Sequence, residues 1–244
     1  MRYISILSTL VTFIFAVAVF MRFHRRRGTH LFLWGIGVVL FGLGTLTEVI
    51  MLFTFNALAL KVWYLSGAML TAAWLGQGTI HLLIRKRGLA FALTGILFVV
   101  SLLAIGLVLT APLTSAAGSF DLTQPISSQY RAILTRNGVT ITMTILLNIY
   151  GTLGLVGGAI YSAFIFWRKR VLFDRMIGNL LIAGGALLPA MAGSFVKVGL
   201  PDLLYISEFL GVILMYSGFL KATASHTAAE RKAGATAVLN NWRK

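Results

Sequence analysis

Long apolar stretches of about twenty residues alternate with short polar or basic interruptions along the whole chain, and that alternation predicts the architecture. A helix that crosses a bilayer needs about 20 mainly apolar residues. Seven stretches meet this demand, at about 3–21, 31–53, 58–84, 89–111, 139–167, 176–198 and 203–220. They predict an all-α, polytopic membrane protein: one bundle of seven transmembrane helices over 1–220, followed by a basic tail over 221–244 with partial helical character. Glycines at Gly35, Gly37, Gly42 and Gly44, and again at Gly178, Gly184, Gly185 and Gly193, mark faces where helices approach closely. Pro189 inside the sixth stretch predicts a kink, because proline lacks the N–H that the helix needs. The segment 112–138 is the single long loop, and Ile126–Leu134 within it predicts a short helix lying on the membrane surface.

Composition supports this picture. The 244 residues are 58% hydrophobic and 11% charged, against roughly 25% charged in soluble domains. Mean hydropathy is +0.90. The net charge of +15 is distributed as short clusters between apolar runs, which is how membrane proteins set their orientation and not how a nucleic-acid surface is built, so no nucleic-acid partner is expected. Sixteen of the 21 Lys and Arg residues fall on one side: Arg22, Arg25, Arg26, Arg27, Arg85, Lys86, Arg87, Arg168, Lys169, Arg170 and Arg175 in loops, with five more in the tail. The positive-inside rule then predicts an outer N-terminus, a cytoplasmic C-terminus and an outer 112–138 loop, in the cell (inner) membrane. Met1-Arg2-Tyr3 precedes an apolar run without a small-x-small cleavage site, so an uncleaved first span is expected. The absence of cysteine excludes disulfides and thiolate chemistry.

Candidate chemistry is sparse. Glu48 and Glu208 are the two carboxylates inside apolar runs, both near the outer ends of their spans. Such groups face a bundle interior or a wet cavity. With Tyr64 and Tyr205 at similar depth they predict a polar pocket open to the outside, formed by the second, third, sixth and seventh spans. The competing reading is a structural ion pair with Lys61 or Lys197. Trp74, Gln77 and His81 lie at i, i+3 and i+7, hence on one helix face. Trp74 and Gln77 are the expected pocket floor, and interhelical hydrogen bonding is the alternative. Asn148, Gly151, Gly154, Gly158 and Tyr161 form a small-residue packing groove. Trp242-Arg243-Lys244 suits anionic lipid headgroups or a cytoplasmic docking partner. No HExxH, GxSxG or P-loop pattern occurs, no matched histidines suit a haem, and the last span has no central lysine for a retinal. No enzyme activity, metal or cofactor is expected.

Gly44-Thr45-Leu46-Thr47-Glu48, then Trp63-Tyr64-Leu65-Ser66-Gly67-Ala68, then Ala73-Trp74-Leu75, resembles the seven-helix sensor region at the N-terminus of bacterial histidine kinases over about 30–90. Those proteins continue into kinase domains, whereas a stand-alone bundle with a short tail is expected here. The resemblance implies a receptor-like sensor that takes a small or lipidic ligand from the outer side and signals through a cytoplasmic or membrane partner. Two alternatives stay open. Tyr64-Leu65-Ser66 and Tyr205-Ile206-Ser207 open the third helix of two three-helix sets, which fits a transporter with a 3+1+3 layout. An accessory subunit of a larger membrane complex is the other.

Overall fold

The computed structural model describes residues 3–84, 86–168, 173–197 and 202–242, with the backbone alone at 87, 192–197, 202 and 224–242. Arg85, Lys169, Arg170, the Leu200-Pro201 turn and the terminal Arg243-Lys244, together with the side chains of Lys197, Asp202 and Trp242, lie outside what is described. The described residues are helical, without a strand beyond one isolated bridge between Leu113 and Leu134.

The helices are α1 (Ile4–Arg26), α2 (Thr29–Met51), α3 (Ala57–Leu83), α4 (Arg87–Thr110), the short α5 (Ile126–Ile133), α6 (Gly138–Arg168), α7 (Phe173–Lys197) and α8 (Asp202–Trp242). Six helices, α1 to α4, α6 and α8, are long and apolar enough to cross a membrane among the described residues. The α7 helix, which covers the sixth expected span, falls outside that set. Exposed Phe98, Val99, Leu102 and Leu103 on α4, and Leu7, Leu10, Ile14 and Val17 on α1, form apolar outer faces that need lipid around them.

Several boundaries differ from the sequence expectation. The arginine-rich interruption at 22–30 is mostly helix: α1 runs through Arg26, and only Arg27, in the left-handed conformation at φ 52°, and Gly28 turn the chain. The last helix continues without a break to Trp242. The α7 helix runs through Pro189, whose ring lies beside Gly211 of α8.

Packing is a closed ring. In order, α1, α2, α3, α6, α7 and α8 each lie against the next, and α8 returns to α1. The α4 helix sits outside, against α3 and α6. Each ring helix sends apolar side chains into a shared core, among them Phe15, Phe41, Leu75, Val156, Ile182 and Val212. On α1 the usual polarity is inverted. Ser5, Ser8, Thr9 and Thr12 face inward, and the hydroxyls of Ser8, Thr9 and Thr12 donate to the carbonyls of Ile4, Ser5 and Ser8, so no inward hydroxyl proton is stranded in apolar surroundings.

Close approach between α3 and α6 depends on glycine. A Cβ on Gly151 would lie 2.1 Å from the carbonyl carbon of Ala72, and one on Gly76 would lie 2.7 Å from the Gly151 carbonyl oxygen. Both helices carry a π-helical stretch near this contact, Tyr64–Leu70 in α3 and Leu153–Gly157 in α6. A π turn displaces carbonyls from the regular ladder. In α3 side chains meet them: Thr71 Oγ1 donates to Ser66 O at 2.8 Å, and Asn148 Nδ2 of α6 donates to Ala68 O at 2.8 Å. Asn148, expected as part of a packing groove, is therefore a hydrogen-bonded strut between the two helices.

These contacts give a direct prediction. Gly151→Val must push α3 and α6 apart and should lower the thermal unfolding midpoint in detergent, at a cost of about 1–3 kcal/mol as for other overpacked contacts. Gly95→Ala on α4, where nothing lies within 4 Å, should leave the midpoint unchanged or slightly raised. Equal midpoints for both variants would remove the close-approach account.

Candidate functional site

The segment between α4 and α6 is folded back onto the ring. Leu113 and Leu134 pair as a single bridge, Thr114 N donates to Ile133 O at 2.9 Å, and Thr135 N donates to Pro112 O at 3.1 Å, so the two ends of the segment are tied together. The α5 helix between them buries Ile126 and Ile133 against the bundle. It is a cover on the end of the ring. The sequence had placed it on the membrane surface; its apolar residues, spaced one face apart, turn to the protein core instead.

Beneath this cover lies a cavity of ≈ 510 Å³. Its walls come from α2, α3, α6, α7, α8 and the cover. Gly44 and Gly67 leave space where larger side chains would fill it, and the mid-bundle core, including Phe41, closes it below. Glu48 of α2 and Glu208 of α8, the two helices that flank α1, both reach this cavity. Trp63 Nε1 donates to Glu48 Oε1 at 2.8 Å. The two carboxyl groups are near enough to hydrogen-bond to each other. Glu48 Oε2 and Glu208 Oε2 are shut from bulk water and have no hydrogen-bond partner among the described residues.

The upper wall is aromatic and basic. Tyr130 stacks between Trp63, 5.2 Å away, and Tyr64, 5.6 Å away. Arg136 lies over both tyrosine rings, 4.9 Å from that of Tyr130 and 5.7 Å from that of Tyr64. Arg131 Nε donates to the Tyr130 hydroxyl at 3.3 Å, and this hydrogen bond pushes the guanidinium pKa further up, so the cover carries a fixed positive charge. Ser127 Oγ on the cover is buried and without a partner among the described residues.

The remaining expected site residues are distributed differently. Tyr64 is almost fully buried behind the aromatic wall and shares a 2.8 Å hydrogen bond with Thr144. Tyr205 is buried beside Leu204 and Ile4, outside the cavity lining. Lys61 donates to the Leu109 carbonyl at 2.8 Å and is not brought to either glutamate; Lys197, the other expected partner, has no described side chain.

Trp74, Gln77 and His81 do share one face, but it points to α4 and not to the cavity. Trp74 Nε1 donates to Ser101 Oγ at 3.2 Å, Gln77 Nε2 to Thr94 Oγ1 at 2.7 Å and to Ala90 O at 3.0 Å, while His81 Nε2 lies 2.7 Å from Thr94 Oγ1. Tyr150 of α6 completes the network by donating to Gln77 Oε1. The expected pocket floor is thus a set of hydrogen bonds that fixes the peripheral α4 to α3.

Residues that sequence reasoning missed as site components are Trp63, which was quoted only for the resemblance, and Ser127, Ser128, Tyr130 and Arg131 on the cover. The signal for the cover was present in the apolar spacing of Ile126, Tyr130 and Ile133. The signal for Trp63 was not, because its bond to Glu48 depends on how α2 and α3 face each other. Among the described residues no group of three or more His, Cys, Asp or Glu could hold a metal ion.

Trp63→Phe keeps an aromatic wall but removes the donor to Glu48. It should lower the unfolding midpoint by the equivalent of about 1.5–3 kcal/mol, the range for a hydrogen bond to an ionisable partner. Thr94→Val, in the network that holds α4, should cost only about 0.6 kcal/mol, as measured for typical hydrogen bonds between membrane helices. Thermal denaturation of both variants in one detergent checks the order; a larger loss at Thr94 would contradict the placement of the key buried bond at Glu48. Comparison with protein-family models, with curated proteins and with solved structures returns no match.

Proposed function

We propose that this chain is a seven-span, receptor-like protein of the cell membrane that takes a small or lipidic ligand from the outer side into the cavity beneath α5 and signals through a cytoplasmic partner. The observation that carries this reading is the cavity itself: ≈ 510 Å³, lined by two glutamates whose Oε2 atoms have no partner among the described residues, and roofed by a folded loop. A volume of this size lies in the range of small-molecule sites, and an apolar wall with a few convergent polar groups is their usual chemistry.

In this reading α7 is the seventh span, since it fills the ring between α6 and α8. The orientation rests on charge. Arg22, Arg25 and Arg26 at the end of α1, Lys86 before α4 and Arg168 at the end of α6 all lie at the end of the bundle opposite α5, and positive charge favours the cytoplasmic side. The signalling half of the proposal rests on the resemblance of 30–90 to histidine-kinase sensor regions, with the basic end and the long α8 as the surface for a partner.

The mid-bundle core favours a receptor over a transporter. All six ring helices contribute apolar side chains to the core below the cavity, which supports a site served from one side. An accessory subunit has no need of an unfilled polar cavity.

Native mass spectrometry on protein extracted gently from its own membrane tests the proposal. A small molecule should be retained by the wild type and lost from Ala68→Phe, which fills the cavity from α3 and leaves both glutamates in the sequence. Stoichiometric co-purification of other membrane proteins, with no retained small molecule in either form, would replace the receptor reading with the accessory-subunit one.

A further inference from the structure

We propose that the ligand of this cavity carries a single ammonium group, which sits between the Glu48 and Glu208 carboxylates. The inference rests on the reading of the cavity as a ligand site and adds the chemical class of the ligand.

The argument begins with what the two glutamates lack. A carboxylate in apolar surroundings needs a cation, a proton or hydrogen-bond donors, because burial without them is costly. Glu48 is 4% exposed and has one donor, Trp63, for its two oxygens. Glu208 lies beside it on the lining of the same cavity, and Oε2 of each is buried without a partner among the described residues. Two carboxylates side by side repel each other unless a proton or a cation is shared between them, and among the described residues neither forms an ion pair with a lysine or arginine. Lys61 is engaged at the Leu109 carbonyl. The other lining residues of α2, α3 and α6, such as Thr45, Gly67 and Asn148, bring no charge. From α7 the cavity receives Pro189 and Ala190. The protein's own cations, Arg131 and Arg136, are placed around Tyr130 on the cover side.

An ammonium group resolves the repulsion. It has three donors on a compact charge, so it can bond to both free oxygens at once, and such charge-assisted bonds are about twice as strong as neutral ones. Trp63 and Tyr130, which both line the cavity, offer aromatic faces of the kind that attract organic cations. Phe41 and Leu204 give the floor and side an apolar character suited to a hydrocarbon body.

The arginines limit the ligand further. A second positive charge at the far end would meet Arg131 on the cover, whereas a neutral or anionic end would not. The site is therefore polarised, acidic at depth and basic at its roof, and selects a monocation or a zwitterion oriented with its amine inward.

The test uses the full-length protein in detergent. Butylamine, benzylamine and 2-phenylethylamine are compared with the alcohols of the same shape, 1-butanol, benzyl alcohol and 2-phenylethanol. Binding is read from the shift in unfolding midpoint and from tryptophan fluorescence, since Trp63 touches the site. At neutral pH at least one amine should bind the wild type at least ~tenfold more tightly than its alcohol, a ratio equivalent to about 1.4 kcal/mol. That preference should vanish in the Glu48→Gln, Glu208→Gln double variant. If the double variant does not fold, the amine-to-alcohol ratio in the wild type decides the matter alone.

Alcohols that bind as well as amines, with both lost in Ala68→Phe, would overturn the ammonium inference and leave the cavity as a ligand site. Amines that bind undiminished to Ala68→Phe would overturn it by placing them elsewhere. Failure of every amine and alcohol to bind, together with no molecule retained in native mass spectrometry, would overturn both readings.

Discussion

Two carboxyl groups buried side by side within an apolar ring of helices are the constraint around which the α5 end of this protein is arranged. Water is scarce at that depth, so every oxygen on Glu48 and Glu208 must be met by something local. The Trp63 indole meets one. The cavity, the aromatic wall and the cover helix surround the rest. A fully packed apolar core would have been cheaper to build at that position, and the mid-bundle plug a turn or two below shows that the same six helices do build one. The contrast between a packed mid-bundle core and the open, acidic cavity beside it is the main functional statement the molecule makes.

That open half is kept in shape by backbone-to-backbone contacts and not by bulky side chains. Gly76 and Gly151 let α3 and α6 touch, and Gly185 and Gly211 do the same for α7 and α8, where an added Cβ on Gly185 would lie 2.6 Å from the Gly211 carbonyl. In a bilayer there is no hydrophobic gain from helix association, so close packing and a few interhelical hydrogen bonds must hold the helices together. The π-helical stretch of α3 joins these two themes. It shifts Gly67 and Ala68 to the cavity wall and presents the Ala68 carbonyl to Asn148, so the wall of the site is braced by the neighbouring helix.

Much of this was legible in the sequence, and the limits have physical causes. Apolar runs of spanning length located the helices and most of their ends, because that signal depends only on the solvent, whereas the polar continuation of α8 to Trp242 lies beyond its reach. Glu48 and Glu208 stood out as costly residues in those runs, and the structure brings them together in one cavity. The stripe of Trp74, Gln77 and His81 was read correctly as one face, yet which neighbour it faces is a tertiary fact: α4 lies there, with Ser101 and Thr94 as partners. Tyr205 matched Glu208 in depth, but the approach of α1 claims its side of the helix: it is buried beside Ile4, outside the cavity lining. The cover helix was visible as an amphipathic segment, but a surface helix and a docked helix have the same pattern. The arginine cluster at 22–27 was taken for a loop because charge usually ends a span; here α1 simply projects its last turn, with Arg22 donating to the Thr223 carbonyl of α8 at 2.7 Å.

The central claim is that the acidic cavity is reached from the outer face of the membrane. With no native cysteine in the chain, single cysteines report access cleanly. Ala68→Cys in the cavity wall and Ala18→Cys at the opposite end of the bundle, exposed in intact cells to a membrane-impermeant maleimide, give the most direct test. The account predicts labelling at position 68 in intact cells and at position 18 only after the membrane is opened. Labelling of position 18 from outside, with position 68 protected until permeabilisation, would contradict it.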